Sequence, residues 1–294
     1  MLVFVLGTGR CGSSLLHEVM ARHPDVGFVS NIDDRLGALD LVGRWNQTIY
    51  RRVPNRFTEK GRFRYAPSEA YKILDKQVSP ILSAPSRDLL ADDATPWLAK
   101  RTRAFFERRA EAQGRPVFLH KFTGWPRSGF LHEVFPEARF INVIRDGRAV
   151  ANSLLQMYWW AGYGGPERWS LGPLDAERQR LWDASGRSYA VLAGLEWDIL
   201  MDAFDAARAQ LPAAQWLDVR YEDVLGDARA QLGRMLEFAG LDWTPEFETA
   251  FARYEFGSGR SEAFRKDLGS RAVAALEPVI ARNLQANGYN LTPG

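Results

Sequence analysis

Residues 2–23, Leu2-Val3-Phe4-Val5-Leu6-Gly7-Thr8-Gly9-Arg10-Cys11-Gly12-Ser13-Ser14-Leu15-Leu16-His17-Glu18-Val19-Met20-Ala21-Arg22-His23, carry the decisive reading. A five-residue apolar run stopped by glycine predicts a buried strand. Leu15, Leu16, Val19 and Met20 then recur at helical spacing. The unit is strand, glycine loop, helix. Such a loop bares backbone N–H groups at a helix N-terminus, where the partial positive charge favours an anion. Arg10 adds a fork of donors suited to phosphate or sulfate.

The loop alone admits several readings. Gly7, Gly9 and Gly12 fit GxGxxG, and Asp33 follows at about the distance a ribose contact needs. Gly7 to Ser14 also nearly fits the P-loop GxxxxGK[ST], with Ser13 where the lysine belongs. A third reading moves the cation into the loop, as Arg10. A plain strand-to-helix turn would bind nothing.

Working outward, Pro24 ends the first helix, and Val26–Val29 predicts a short second strand. Asn31, Asp33 and Asp34 follow at its end, where open α/β sheets gather ligands. The two acids are placed to supply a base or to cap the next helix. Residues 44–65 interleave Arg44, Trp45, Tyr50, Arg51, Arg52, Arg56, Phe57, Lys60, Arg62, Phe63, Arg64 and Tyr65, a pattern suited to sugar or nucleic acid or to a surface excursion. Helices are expected at 67–82, opened by Pro67-Ser68-Glu69, and at 94–113. A third strand, 116–121, ends in His120 and Lys121. A fourth, 138–144, runs into Arg145-Asp146-Gly147-Arg148 and a helix carrying Ser153. Arg145 and Ser153 would flank one anion. Residues 156–173 form an aromatic loop. A long helical region spans 175–211. A fifth strand, 216–221, ends in Tyr221. Helices near 225–239, 245–253 and 270–287 close the chain, with Gly288 as C-cap.

This alternation predicts an α/β fold, a mostly parallel central sheet flanked by helices, in a single domain over 1–294. The 294 residues are 46% apolar, enough for a large core, and the net charge of +2 makes no general field for nucleic acid. Arginine supplies 32 of the 38 basic residues, so local anion sites are easy to build. The single cysteine, Cys11, excludes an intrachain disulfide and permits the cytoplasm. No leader is visible, and no apolar run approaches the ~20 residues of a membrane span.

Three segments in order, GTGRCGSSLL with HPDV, IRDGRAVANSLL, and VRYEDVLGDARAQLGRMLEFAGLDW, resemble the sulfotransferases that use 3′-phosphoadenylyl sulfate (PAPS). The stretch from Phe264-Arg265-Lys266 to Gly288-Tyr289 is similar to that family's closing helix. The likeness leaves about 31–115 unmatched. It implies a nucleotide-kinase-like, P-loop-like fold, PAPS as cosubstrate with PAP as product, a hydroxyl acceptor, and no need for a metal. By this resemblance Arg10 faces the sulfuryl group. Gly9, Cys11, Gly12, Ser13 and Ser14 form the 5′-phosphate loop. Arg145 and Ser153 hold the 3′-phosphate, Tyr221 lies beside adenine, and Lys121 is the strand-end lysine. Ser258-Gly259-Arg260 stands in for a further phosphate motif. The family's bases do not transfer: Thr123 and Asn31 occupy their positions, which leaves Asp33, Asp34 and His120. The family's adenine-stacking tryptophan is Leu15 here. The aromatic loop suits a carbohydrate or glycolipid acceptor. Two other classes compete, an NAD(P)-dependent oxidoreductase and a non-catalytic nucleotide-binding protein.

Overall fold

The computed structural model describes residues 1–39, 42–53, 65–257 and 261–292. Five parallel strands form one sheet: β1 (Leu2–Leu6), β2 (Val26–Gly27), β3 (Val117–Lys121), β4 (Arg139–Ile144) and β5 (Trp216–Arg220), in the order β2-β3-β1-β4-β5. The helices are α1 (Ser13–Met20), α2 (Asn31–Arg35), α3 (Asn46–Arg52), α4 (Tyr71–Gln77), α5 (Pro96–Gln113), α6 (Ser128–Val134), α7 (Gly147–Leu155), α8 (Ala176–Ala184), α9 (Tyr189–Gln210), α10 (Tyr221–Gly226), α11 (Ala228–Phe238), α12 (Pro245–Phe251) and α13 (Ala263–Ala286). The α/β architecture with a parallel sheet is the one expected. Among the described residues no helix is long and apolar enough to cross a membrane.

Parallel strands covered on both faces read as continuous apolar runs, and period two sorts their side chains. Phe4, Phe118, Phe140 and Trp216 face α5 and α6, packing with Phe106, Phe130 and Leu131. Val3, Val5, Leu119, Ile141, Val143 and Val219 face α1 and α11, packing with Leu16, Met20 and Leu236. A third core joins α7, α9 and α13 through Val150, Trp197, Leu276 and Ile280.

Strand order decides where a site can form. After β1 the chain crosses toward the β2 edge; after β4 it crosses toward the β5 edge. The connections diverge between neighbouring β1 and β4, so a crevice opens at their C-terminal ends. The glycine loop leaves β1 there, and Arg145 leaves β4.

Several expected boundaries move. β2 stops at Gly27 because Phe28 bonds side chains instead of a strand: its N–H donates to Gln113 Oε1 (3.0 Å), and its carbonyl accepts from Asn46 and Gln113. The helical region 175–211 is two helices, broken where Gly186 (φ 70°) and Arg187 (φ 59°) turn left-handed. Helix 67–82 shrinks to α4, and the final helix bends at Gly269. Gly288 does close α13: its N–H donates to Gln285 O (3.0 Å), and Tyr289 N–H to Leu284 O (2.9 Å). Of the basic and aromatic run, Tyr50 is core and Trp45 is exposed. Arg56, Phe57, Lys60, Arg62, Phe63 and Arg64 lie outside the described residues, as do Ser258, Gly259 and Arg260.

A buried ionic triad ties α13 to the β4 exit. Arg148 donates to Asp146 (2.6 Å) and to Glu277, which also accepts from Thr292 (2.7 Å). Glu277→Ala leaves the buried guanidinium with one partner. It should lower unfolding stability by about 1.5–3 kcal/mol, the worth of a charge-assisted hydrogen bond. The urea midpoint measures this, and an unchanged midpoint would show the link to be dispensable.

Candidate active site

A cavity of about 770 Å³ occupies the crevice at the strand ends. Its floor is the loop after β1. Gly12 adopts φ 93°, and a Cβ there would meet the Tyr221 ring at 2.3 Å, so only glycine serves. The first carbonyl used by α1 is that of Gly12, taken by Leu15 and Leu16. The amides before Leu15 therefore have no acceptor within the helix. Gly9, Arg10, Gly12, Ser13 and Ser14 all line the cavity. Cys11 does not: it is fully buried, with its sulfur packed beneath Gly7, where a Cβ would meet it at 2.4 Å.

The two basic loops meet here. Arg10, itself left-handed at φ 55°, donates from Nε to Ser153 Oγ (2.9 Å). Arg145 donates from Nη1 to the Arg10 carbonyl (2.9 Å) and lies over the Tyr221 ring at 5.2 Å. Among the described residues Arg145 Nε is buried without a hydrogen-bond partner. Burial and the neighbouring Arg145 push the Arg10 guanidinium below its ordinary value. Two guanidiniums, a hydroxyl and a helix N-terminus thus converge from β1, β4 and α7, a constellation suited to a polyanion. Arg10, Arg145, Ser153 and Tyr221 are brought together there.

The opposite wall is built around Lys121. It donates to Ser14 Oγ (2.7 Å) and pairs with Glu69 (3.1 Å). Glu69 accepts from Thr123 Oγ1 (2.7 Å), and the Tyr71 hydroxyl lies 3.3 Å from the same Thr123 oxygen. Burial and Glu69 push the Tyr71 phenol up to about 12, so it remains a donor. Glu69 reaches the cavity because residues 66–68 are stitched beside the end of β2: Ser30 bridges Pro67, and Ser68 N–H donates to Val29 O (2.9 Å).

The three acid or base candidates read from sequence lie elsewhere. Asp33 is a helix-capping side chain, accepting from Ser30 N–H (2.8 Å) and Asn46 Nδ2 (2.5 Å). So engaged, it is also withdrawn from any ribose contact. Asp34 accepts from Ile73 N–H (3.0 Å) at the start of α4. His120 is a correction with a cause in strand parity. It pairs with Phe4 in register, and Lys121 with Val5. His120 therefore points into the aromatic core, 4.7 Å from Phe122 and 5.1 Å from Phe106 between ring centroids. Burial and Lys121 push it down to about 3. Asn31 Oδ1 accepts from Ala66 N–H (3.1 Å).

The aromatic loop divides. Trp160 and Trp169 are buried, whereas Tyr158 is 95% exposed and Trp159, half-exposed, lines the cavity. Behind Trp159, Glu196 of α9 also reaches the cavity and accepts from Trp160 Nε1 (2.6 Å). Sequence reasoning missed Glu69 and Glu196. Neither carries a local motif.

A model described as the sulfotransferase family matches residues 3–245. The omega-hydroxy-beta-dihydromenaquinone-9 sulfotransferase of Mycobacterium bovis is 26% identical over 143 residues, 47% of this chain. The match spans 30% of that relative's own length. The sulfotransferase domain of a Synechococcus olefin synthase aligns over 99% of this chain and 95% of its own, at 18% identity and a TM-score of 0.56. A sulfotransferase from Mycobacterium avium aligns over 98% of this chain and 77% of its own, at 19% identity and a TM-score of 0.57. At these identities the likeness to solved structures is one of fold.

Burial holds the Glu196 carboxyl near 7 instead of its ordinary 4.5, against the indole hydrogen bond that lowers it. The folded state keeps this proton through a window in which the unfolded chain has released it. Glu196 therefore makes stability fall as pH rises from its ordinary value to about 7. Unfolding measured at about pH 5 and about pH 7.5 should show a smaller loss in Glu196→Gln than in the wild type. Equal losses would place the carboxylate in water.

Proposed function

Since this chain belongs to the sulfotransferase family, we propose that it moves the sulfuryl group of PAPS onto a hydroxyl. The observation that supports this most is the junction of Arg10, Ser153 and Arg145 at the β1–β4 crevice. In this reading the amides of Gly12, Ser13 and Ser14 hold the 5′-phosphate. Arg145 and Ser153 hold the 3′-phosphate, and the adenine lies by Tyr221. Arg10 and Lys121 face the sulfuryl oxygens and the bridging oxygen.

The acceptor oxygen forms a bond to sulfur as the bond from sulfur to the 5′-phosphate oxygen breaks. The electron pair leaves on PAP, and the acceptor proton needs a base. We assign that role to Glu69. It lies in the same cavity as the loop, and Lys121, Thr123 and Tyr71 orient its carboxylate. Negative charge grows on the bridging oxygen during transfer, so fixed cations aimed there stabilise the transition state most. The acceptor hydroxyl is proposed to belong to a carbohydrate or a lipid-linked molecule. Trp159 offers a ring face at the cavity, and the M. bovis relative is named for a lipid omega-hydroxyl.

Two experiments separate the roles. Arg145→Ala should weaken PAP binding about ten- to a hundredfold by calorimetry, the worth of a lost charge-assisted contact. Arg10→Ala should instead cut kcat by about 10²–10³ with a much smaller effect on PAP, which lacks the sulfuryl group. A folded Arg145→Ala protein with unchanged PAP affinity would overturn the 3′-phosphate assignment.

Glu69→Gln should lower kcat with labelled PAPS by about 10²–10⁴ while leaving PAP affinity nearly intact. Full turnover in that variant would remove Glu69 as the base.

A further inference from the structure

A second concavity, of about 350 Å³, opens between α3, α12 and the turn leading into β3. Among the described residues Arg51, Arg52, Arg115 and Arg253 line it, opposed by one carboxylate, Glu246. Arg115 precedes β3, so this concavity lies at the N-terminal ends of the parallel strands. The transfer cavity lies at their other end.

The four arginines come from three separate segments. Arg51 and Arg52 stand in the last turn of α3, where the helix dipole favours cations. That accounts for neither Arg115 nor Arg253. Arg253, just past α12, donates from Nη1 to the carbonyl of Arg51 (3.4 Å), which brings a third guanidinium to the same helix end. Among the described residues none of the four forms an ion pair with a carboxylate. Like charges gathered in a concave, low-dielectric surface focus positive potential. They repel one another until an anion screens them. Thr48 of α3 adds a hydroxyl to the lining, whereas that of Thr249 on α12 donates to the Pro245 carbonyl (3.0 Å). The size falls within the range of small-molecule pockets.

We propose that this concavity is an anion site for a multiply charged phosphate group, free or carried on a lipid headgroup. Planar guanidinium forks match phosphate oxygens in pairs, and several forks select a group with more than one negative charge. The site stands apart from the transfer chemistry and does not depend on its assignment.

The test uses the full chain and two probes. Pyrophosphate is titrated by calorimetry with PAP in excess, so that the transfer cavity is already occupied. Vesicles of phosphatidylcholine, alone or doped with phosphatidic acid, are assayed by co-sedimentation. Wild type should bind at least one phosphate probe and not phosphatidylcholine alone. Arg51→Gln/Arg253→Gln should weaken that binding about tenfold or more, and Arg145→Ala should leave it intact. Should the double variant melt early, Arg52→Gln, at an exposed position, reads out the same loss. Loss of pyrophosphate binding assigns a free phosphate; loss confined to phosphatidic-acid vesicles assigns a headgroup. Binding that survives the arginine variants, binding lost instead in Arg145→Ala, or no binding to either probe overturns the proposal.

Discussion

A guanidinium at the end of one strand holds the carbonyl of the loop leaving its neighbour: Arg145 Nη1 to Arg10 O, 2.9 Å. This contact fixes the loop in the left-handed turn that Arg10 must adopt, φ 55°, an uncommon conformation for a residue with a Cβ. Once the carbonyl is pinned, the Arg10 side chain is aimed across the crevice at Ser153. Two segments far apart in the chain, the loop after β1 and the β4–α7 stretch, thereby share one polar junction. The diverging connections of β1 and β4 make room for it, and Tyr221 packed against Gly12 closes its back.

The other wall depends on strand parity. β3 is buried on both faces, so its side chains divide between two cores. One step along it separates a histidine sealed among phenylalanines from a lysine that reaches α1. Burial deprives His120 of its charge, whereas Lys121 stays within reach of Ser14 and Glu69. The same wall draws its carboxylate from residues 66–69. Hydrogen bonds to Val29 and Asn31 carry that segment alongside the end of β2. A region with no recognisable motif thus contributes to the cavity through backbone pairing.

The third face comes from α7, α9 and the aromatic loop. Trp160 and Trp169 spend their rings on the core, and their indole N–H groups find Glu196 and the Gly172 carbonyl. Only part of the loop is left for the cavity, chiefly Trp159. Large aromatic rings contribute most by burial, and a buried indole N–H needs an acceptor. Here that requirement draws a second carboxylate to the site's edge.

The amino-acid sequence by itself determined the strand–loop–helix unit, the parallel α/β class, and the residues at the loop and at the β4 exit. These features rest on short-range patterns: an apolar run, glycines at fixed spacing, a basic residue at a strand end. Arg10, Arg145 and Ser153 were legible for that reason, whereas Tyr221 was singled out only through the family resemblance. Tertiary structure alone decided which carboxylates face the cavity. Asp33 and Asp34 have the right sequence neighbourhood, but backbone N–H groups close by claim their oxygens first. His120 stood at the correct strand end, yet a strand buried on both faces shows no polar alternation to reveal where it points. Glu69 and Glu196 reach the cavity through contacts between segments distant in the chain, the Ser30–Pro67 bridge and the packing of α9 beneath Trp160. A local pattern cannot encode such pairings, because they are set by how the whole chain buries its apolar surface.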